Sequence, residues 1–373
     1  LGLVVYTGPG GPVERESGEA WFDSERLTGA EAMRRAGIAQ LVPAPKEGLG
    51  MINGAQLTCA YAALAVSDAA RLVLTAEIVA AMSIEALLGV TRAFHPGVHA
   101  LRPYRGARSS AANLAALLAG SSLVDSVPDK VQDAYSLRCS PVVMGAVRDG
   151  VRFAAEQVGV EVNSVTDNPV ILVDAEGENK AFSAGLFHGE PVGMACDHLK
   201  LCLVELGAIA ERRVYRLTTG TLSARLPPAL AELEGPGLGL MMPQVSAAAL
   251  VAHNRQLAWP GSADTIPTCE DQEDHVAMST TAARRAWEVL QNTRQVVCIE
   301  LLAATRGVRA RLASGEVALG AGTGAAYALL EPLIGGETPA DDIAAVEQRV
   351  SSGALLAAVQ GVVGGLEGVA RGR

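Results

Sequence analysis

Apolar stretches interrupted every three or four positions by polar residues run through the first half of the chain and predict helices. One such stretch covers residues 55–88 and ends at Gly89, and a shorter one covers 110–118 and ends at Gly120. Ser140 followed by Pro141 is typical of a helix start, so a third helix is expected over residues 140–158.

The second half of the chain continues this helical pattern. Residues 191–217, 243–258 and 273–306 are predicted helices, and Gly307 is expected to end the third. Within 243–258, apolar positions recur at three- and four-residue spacing on one face, which is typical of an amphipathic helix. Thr338-Pro339-Ala340-Asp341 is expected to begin a last helix that reaches about residue 369.

Short polar and glycine-rich segments predict loops and small strands in a few places. Residues 3–6 are expected to form a short strand, and residues 8–11 a turn. Thr28 and Glu31 have the spacing of a capping box, and Gly37 would close that helix. Residues 170–174 and 180–183 are expected to pair as a β-hairpin. Without a clear linker, we separate a loop-rich part, 1–52, from a helical part, 53–373.

Composition agrees with an all-α fold. Of the 373 residues, 49% are hydrophobic but only 4% are aromatic, and this mixture suits closely packed helices better than a sheet. The formal net charge is −10 without a run of lysine and arginine, which argues against nucleic acid and anionic membrane as partners. The longest uncharged run, 48–67, contains polar residues and glycines and is read as a core helix with a preceding loop. Six scattered cysteines favour free thiols in the cytoplasm.

Candidate chemistry concentrates in two segments. Gln132, Tyr135 and Arg138 follow one another at three-residue intervals, so in a helix they would project within an arc of about 120°. Arginine can hold a carboxylate through two parallel hydrogen bonds, and a tyrosine in a dry pocket can transfer protons. Glu273 could hold a polar group at the other end of a substrate. A solvated turn before a helix is the alternative interpretation of the first segment.

Together with three further blocks, these segments resemble the signatures of the aromatic amino acid ammonia-lyases, and most closely those of the histidine ammonia-lyases. The resemblance extends from about Leu3 almost to the C-terminus. The five blocks, in chain order, are Lys46-Glu47-Gly48-Leu49-Gly50-Met51-Ile52-Asn53-Gly54, Val131-Gln132-Asp133-Ala134-Tyr135-Ser136-Leu137-Arg138-Cys139, Ser164-Val165-Thr166-Asp167-Asn168-Pro169, Phe187-His188-Gly189-Glu190-Pro191 and Asp271-Gln272-Glu273-Asp274-His275.

The resemblance implies a long-helix bundle with a short hairpin, assembled as a homotetramer whose active sites are shared between subunits. It also implies a 4-methylidene-imidazol-5-one cofactor, which the family makes from an Ala-Ser-Gly tripeptide expected just upstream of Leu1. The chain would then be the C-terminal two-thirds or more of such an enzyme. Ala313-Ser314-Gly315 is interpreted instead as a break between two helices, because it lies outside the expected context.

The resemblance also implies roles for individual residues. Arg138 would bind the substrate carboxylate, while Tyr135 and Asn53 would lie beside the imidazolone ring and the departing amine. Gln132 would belong to the same hydrogen-bond network, and Phe187 would pack against ring or substrate. Finally, Glu273 would accept a hydrogen bond from a substrate imidazole, in a place where relatives acting on phenylalanine or tyrosine commonly carry glutamine. The predicted reaction is elimination of ammonia from L-histidine to give urocanate.

Several alternatives remain open from the residues themselves. Glu273 could be an acidic residue in the first turn of a helix, and Asn53 could cap the helix that follows it. His95 and His99 have helical metal-ligand spacing, but Pro96-Gly97 between them disfavours a metal site, and we predict none. Leu186 stands where the family usually has asparagine. A tyrosine or phenylalanine ammonia-lyase, a 2,3-aminomutase, and a non-catalytic helical scaffold or truncated remnant are the alternative functions.

Overall fold

In the computed structural model, residues 7–8, 11–12, 18–41, 43–231 and 238–369 are described, and the strand predicted at residues 3–6 lies outside them. The chain forms two compact units. The first consists of the described residues within Leu1–Gln56 together with Val165–His188, and the second of those within Leu57–Ser164 and Gly189–Arg373. A division at residue 52 stays a prediction of the sequence.

The first unit contains short helices and three antiparallel hairpins. The first pair of strands flanks residues 9 and 10, which lie outside the described residues, so the turn at residues 8–11 stays a prediction. The predicted hairpin after residue 169 is present as the third pair. The middle hairpin has Asp23 and Ser24 in its two-residue turn, with φ 48° and 64°. This geometry usually selects Asn-Gly, which the sequence lacks here, and the sequence analysis did not predict the hairpin. The elements are β1 Thr7–Gly8, β2 Gly11–Pro12, β3 Glu19–Phe22, β4 Glu25–Thr28, α1 Gly29–Ala36, α2 Glu47–Ile52, β5 Val170–Val173 and β6 Asn179–Phe182.

The second unit is built from helices, several of them very long. The α-helices are α3 Gln56–Ala86, α4 Pro96–Ala100, α5 Arg105–Leu118, α6 Tyr135–Arg138, α7 Ser140–Glu161, α8 Glu190–Thr218, α9 Met241–Leu257, α10 Ser279–Ala313, α11 Ala321–Leu330, α12 Pro339–Ser351 and α13 Ala354–Val363. Three 3-10 turns lie between them, at Thr91–Phe94, Pro228–Leu230 and Glu331–Leu333. The all-α prediction is therefore confirmed.

The second half of α3 is the centre of the hydrophobic core. All residues from Leu72 to Ala86 are buried; most of them are apolar, but the stretch also buries the carboxyl groups of Glu77 and Glu85. Apolar side chains of α5, α7, α8 and α10 belong to the same core cluster. No described helix combines the length and apolarity that crossing a membrane requires.

Helix ends that carry a local signal were predicted well. The Thr28 hydroxyl accepts from the Glu31 amide at 3.3 Å, and Gly37 closes α1 with φ 69°. Thr338 and Asp341 form the complete capping box of α12. The expected starts and ends of the helices after residues 55, 140 and 190 agree with the structure to within a few residues.

Three helix predictions near the C-terminus were wrong. The helix expected from Glu273 begins at Ser279, because the residue before it, Met278, has left-handed backbone angles. Gly307 does not end that helix but lies inside it, where an added Cβ would be only 3.0 Å from the Cβ of Ala86 on α3. The last helix is divided into α12 and α13 at Gly353, whose φ is 79°.

Candidate functional site

Tyr135 and Arg138 occupy opposite ends of α6, a single helical turn in the second unit. The guanidinium carbon of Arg138 lies 4.8 Å from the centre of the Tyr135 ring, so the cation stacks on the phenol. The three-residue spacing therefore brings these two side chains together. Gln132 lies before the turn, exposed in an irregular segment, so the condition for a helical arc shared by all three residues is met only by Tyr135 and Arg138.

Arg138 keeps unused hydrogen-bonding capacity. Its Nε atom is buried and has no hydrogen-bond partner among the described residues. A buried guanidinium N–H without a partner is costly, so a ligand that supplies an acceptor would be favoured at this position. Tyr135 is 71% exposed in the single chain, which leaves its hydroxyl accessible.

The segment that leads into α6 is attached to the end of α3 by a buried carboxylate. Asp133, only 7% exposed, accepts from the amide of Val90 at 2.6 Å and pairs with Lys130 at 2.6 Å. The Lys130 ammonium also donates to the carbonyl of Leu88 at 2.7 Å. These contacts set where the turn carrying Tyr135 begins, and sequence reasoning did not assign them a role.

Glu273 lies in a tight loop before α10. Thr268 and Glu273 form an isolated antiparallel bridge, and the Thr268 hydroxyl donates to the Glu273 carboxylate. The residues between them include Cys269, Glu270 and Asp271, whose φ values of 49°, 53° and 63° are all left-handed. Three consecutive non-glycine residues in this region store backbone strain, which is common at functional sites. The interpretation of Glu273 as a first-turn helix residue was wrong.

The Glu273 carboxylate is held in its ionised form. The hydrogen bond from Thr268, followed by one from Cys269, lowers the pKa of Glu273 below its ordinary value. The same contact raises the pKa of the Cys269 thiol. At neutral pH the loop therefore presents an anionic acceptor, exposed in the single chain.

Asn53 belongs to the first unit, where it ends α2. Its side-chain amide donates to Asp167 at 3.3 Å, and Lys46 forms an ion pair with the same carboxylate. The hydrogen bond from Lys46, the largest cause, lowers the pKa of Asp167. An added Cβ on Gly54 would lie 2.2 Å from the carbonyl oxygen of Thr166, and its φ is 98°, so only glycine fits. Two of the sequence blocks thus pack directly against each other.

Asp167 positions the side chain of Asn53, a role that the sequence analysis did not assign to it. Its signal is the block Ser164–Pro169, in which the sequence alone assigns no role to the carboxylate. Phe187 lies in the same unit, in a turn after β6, and is 38% exposed. Asn53 and Phe187 therefore belong to one unit, and Gln132, Tyr135, Arg138 and Glu273 belong to the other.

The tripeptide Ala313-Ser314-Gly315 has a structural role. Ala313 is the last residue of α10, and the Ser314 hydroxyl donates to the carbonyl of Arg311 at 2.7 Å. The prediction that this Ser-Gly pair is a break between helices is confirmed. His95 and His99 are also engaged locally: His95 Nδ1 accepts from the Gly97 amide at 3.0 Å, and His99 Nε2 lies 3.0 Å from the Ala93 carbonyl.

Comparison with known proteins agrees with these features. The sequence matches the family described as "Aromatic amino acid lyase" over residues 16–332. Over 357 residues it is 44% identical to a histidine ammonia-lyase of Sorangium cellulosum, and the match covers 94% of this chain and 69% of that enzyme.

Solved structures show the same fold. The structure of histidine ammonia-lyase from Trypanosoma cruzi superposes with a TM-score of 0.82 at 34% identity, covering 91% of this chain and 64% of that one. A tyrosine aminomutase from Streptomyces globisporus gives a TM-score of 0.84 at 34% identity, covering 93% and 70%. The chain spans about two thirds of the length of these relatives. The chain belongs to the aromatic amino acid lyase family.

Proposed function

We propose that this chain is part of a histidine ammonia-lyase, which breaks the Cα–N bond and removes a β-proton of L-histidine to give urocanate and ammonia. The observation that carries the proposal is the stacked pair in α6, Tyr135 and Arg138, whose buried Nε has no partner. Arg138 would bind the α-carboxylate of the substrate through its guanidinium N–H groups. The 44% identity to an enzyme named histidine ammonia-lyase supports this proposal.

Glu273 supports histidine as the amino acid. An ionised carboxylate can accept the N–H of an imidazole in a charge-assisted hydrogen bond, and the contacts from Thr268 and Cys269 favour this ionised form. A phenyl ring has no donor for it, so an aromatic hydrocarbon side chain would desolvate the carboxylate in the closed site without adding a hydrogen bond to those from Thr268 and Cys269. Phe187 would pack against the substrate or the cofactor, and Gln132 would join the polar network.

The residues present fit the cofactor that the family uses. A methylidene-imidazolone is a neutral ring with oxygen acceptors, and the implied neighbours Asn53 and Tyr135 carry an amide and a phenol, which are neutral donors. Asp167 holds the Asn53 amide by a hydrogen bond, which fixes the orientation of that donor. When bound, the ring supplies an electrophile that makes the amine a better leaving group.

In this chemistry the chain's own residues orient the substrate and handle protons. The guanidinium of Arg138 holds the carboxylate and Glu273 the imidazole, so the substrate is fixed at both ends. The Tyr135 hydroxyl would lie beside the departing amine, where it can donate a hydrogen bond or exchange a proton.

A homotetramer with shared active sites is part of the proposal. Gln132, Tyr135 and Glu273 are exposed in the single chain, although elimination chemistry requires a site closed to water. Large apolar side chains are also exposed on the long helices, among them Leu57, Leu64, Met194 and Val245. Subunit contacts would cover both groups. A cytoplasmic location and a single small-molecule amino acid as the partner remain predictions.

Glu273→Gln tests the choice of amino acid. Turnover of L-histidine and L-phenylalanine is measured for the complete enzyme, with Glu270→Gln as a control that removes the same charge from the same loop. We expect Glu273→Gln to lower kcat/KM for histidine at least about tenfold more than for phenylalanine, because only histidine offers an N–H donor. The control, Glu270→Gln, is expected to change kcat/KM for neither amino acid. Equal losses on both amino acids would contradict the assignment of histidine.

The alternative functions give different products in the same assay. The similarity to a tyrosine aminomutase keeps a 2,3-aminomutase as the second candidate. Such an enzyme would convert an α-amino acid into its β-isomer instead of releasing ammonia. A tyrosine or phenylalanine ammonia-lyase would release ammonia from those amino acids and leave histidine unchanged. Lack of turnover of all three amino acids would favour a non-catalytic scaffold.

A further inference from the structure

A fully buried ion pair joins two of the long helices close to α6. Arg213 on α8 and Glu300 on α10 are both 0% exposed, and the guanidinium holds the carboxylate in a bidentate arrangement, Nε to Oε1 at 2.5 Å and Nη2 to Oε2 at 2.9 Å. On the side of α3, the Ser83 hydroxyl donates to Glu300 Oε1 at 2.6 Å. Replacing such a pair by apolar residues is often neutral or stabilising, so its presence needs another explanation than stability.

The remaining nitrogen of Arg213 faces α6. Its Nη1 donates to the Ser140 hydroxyl at 3.3 Å and lies 3.4 Å from the carbonyl oxygen of Ser136, which is inside α6. The Ser140 hydroxyl in turn donates to the same carbonyl at 2.9 Å. One backbone oxygen of the turn that carries Tyr135 and Arg138 is thus bound by two donors from the buried interior.

We infer that Arg213 and Glu300, acting through Ser140, are positioning residues that set the place of Tyr135 and Arg138 in the reaction. This inference rests on the proposed function of those two side chains. A single helical turn has too few hydrogen bonds of its own to hold its orientation. The bidentate contact with Glu300 fixes the plane of the guanidinium, and therefore the direction in which Nη1 points. Asp133 anchors the other side of the turn to the Val90 amide.

A second buried pair in the same unit provides a matched comparison. Glu77 on α3 and Arg148 on α7 are 0% and 2% exposed, and their nitrogen and oxygen atoms are 3.0 Å apart. This Arg148 donates to the carbonyls of Glu367 and Gly368, near the described end of the chain. Loss of this pair would cost stability, like loss of the first, but the hydrogen bonds of Arg148 among the described residues go to Glu77, Glu367 and Gly368 and not to α6.

The sharpest test compares two serine variants of the complete enzyme, Ser140→Ala and Ser83→Ala. Both hydroxyls are fully buried and both bind the same ion pair, but only Ser140 contacts α6. We expect Ser140→Ala to raise KM for the amino acid about three- to tenfold, in keeping with one lost hydrogen bond. The KM of Ser83→Ala is expected to stay near that of the unsubstituted enzyme. A purely structural role would lower the amount of active enzyme, and hence the apparent kcat, without changing KM.

Hydrogen exchange provides a second readout that does not depend on turnover. The amides of Leu137, Arg138 and Cys139 bond within or next to α6, and they should exchange roughly fivefold faster in Ser140→Ala than in Ser83→Ala. Equal exchange and equal KM in the two variants would overturn the inference. If the unsubstituted enzyme turns over another amino acid instead of histidine, KM is measured for that one. If it turns over none, the proposed function fails, whereas the exchange result still decides whether Ser140 positions α6.

Glu300→Gln and Glu77→Gln extend the test to the ion pairs. Both substitutions keep the side-chain size and leave an arginine without its carboxylate. We expect both to lower the melting temperature, and only Glu300→Gln to raise KM and to speed exchange in α6. The same increase in KM in both variants would mean that general loosening of the fold, rather than the Arg213 contact, moves Arg138, and this would overturn the inference.

Discussion

Gly145→Ala is predicted to destabilise the helical unit, because α5 and α7 cross with their backbones in contact. An added Cβ on Gly145 would lie 2.3 Å from the amide nitrogen of Ala107 and 2.4 Å from its Cα. The contact is reciprocal, since a Cβ on Gly106 would lie 2.0 Å from the carbonyl oxygen of Gly145. Neither neighbour is a side chain that could turn away, so the helices must separate.

The size of the effect follows from this separation. Restoring an ordinary contact requires a shift of about 1 Å, and a gap of that size removes a quarter to a half of the dispersion energy of each facing contact. Overpacking in a core typically costs about 1–3 kcal/mol, and a backbone clash belongs at the upper end of this range or beyond it. The higher helix propensity of alanine than of glycine offsets at most about 1 kcal/mol of this destabilisation. We therefore expect a net loss of roughly 2–4 kcal/mol.

The assay is thermal unfolding followed by circular dichroism, with Gly159→Ala as the control. Gly159 lies in the same helix, α7, but an added Cβ there meets nothing within 4 Å. At equal protein concentration, Gly145→Ala should lower the melting temperature by roughly 4–8 °C, while Gly159→Ala should leave it unchanged or raise it slightly. Equal melting temperatures for the two variants would refute the argument from backbone contact.

Two further predictions concern pH and helix capping. Burial raises the pKa of Asp197, but hydrogen bonds from Lys200 and Ser262 outweigh it, so its pKa lies below the ordinary value. A carboxyl group whose pKa is lower in the folded state stabilises the fold at pH values above its unfolded-state pKa of about 4. This contribution is lost as the pH falls through the folded-state pKa. Asp197→Asn should therefore lower the melting temperature at pH 7, and the difference from the unsubstituted protein should narrow below about pH 4; a constant difference from pH 3 to 8 would contradict this. Thr338→Ala removes the cap of α12 and should cost about 1 kcal/mol in urea unfolding, whereas an unchanged midpoint would mean that the cap contributes nothing.

The sequence was informative wherever structure depends on neighbours along the chain. Apolar periodicity placed the long helices, and capping residues such as Thr28 and Thr338 placed helix starts, because each signal acts within one or two turns. The short spacing from Tyr135 to Arg138 was sufficient to bring those side chains together. The order of the sequence blocks also identified the family, which the comparisons confirm.

The tertiary structure decided the features that depend on residues distant in sequence. Gly307 looks like a helix stop, but α10 continues through it, and its place in the fold is a close approach to α3, where an added Cβ would lie 3.0 Å from the Cβ of Ala86. The helix expected from Glu273 begins only after Met278, whose left-handed backbone has no local sequence signal because the residue is not glycine. The buried contact of Arg213 with Glu300 joins helices that are remote along the chain. Periodicity and capping report only local energies, so burial, close helix contacts and long-range ion pairs become definite only when the chain is folded.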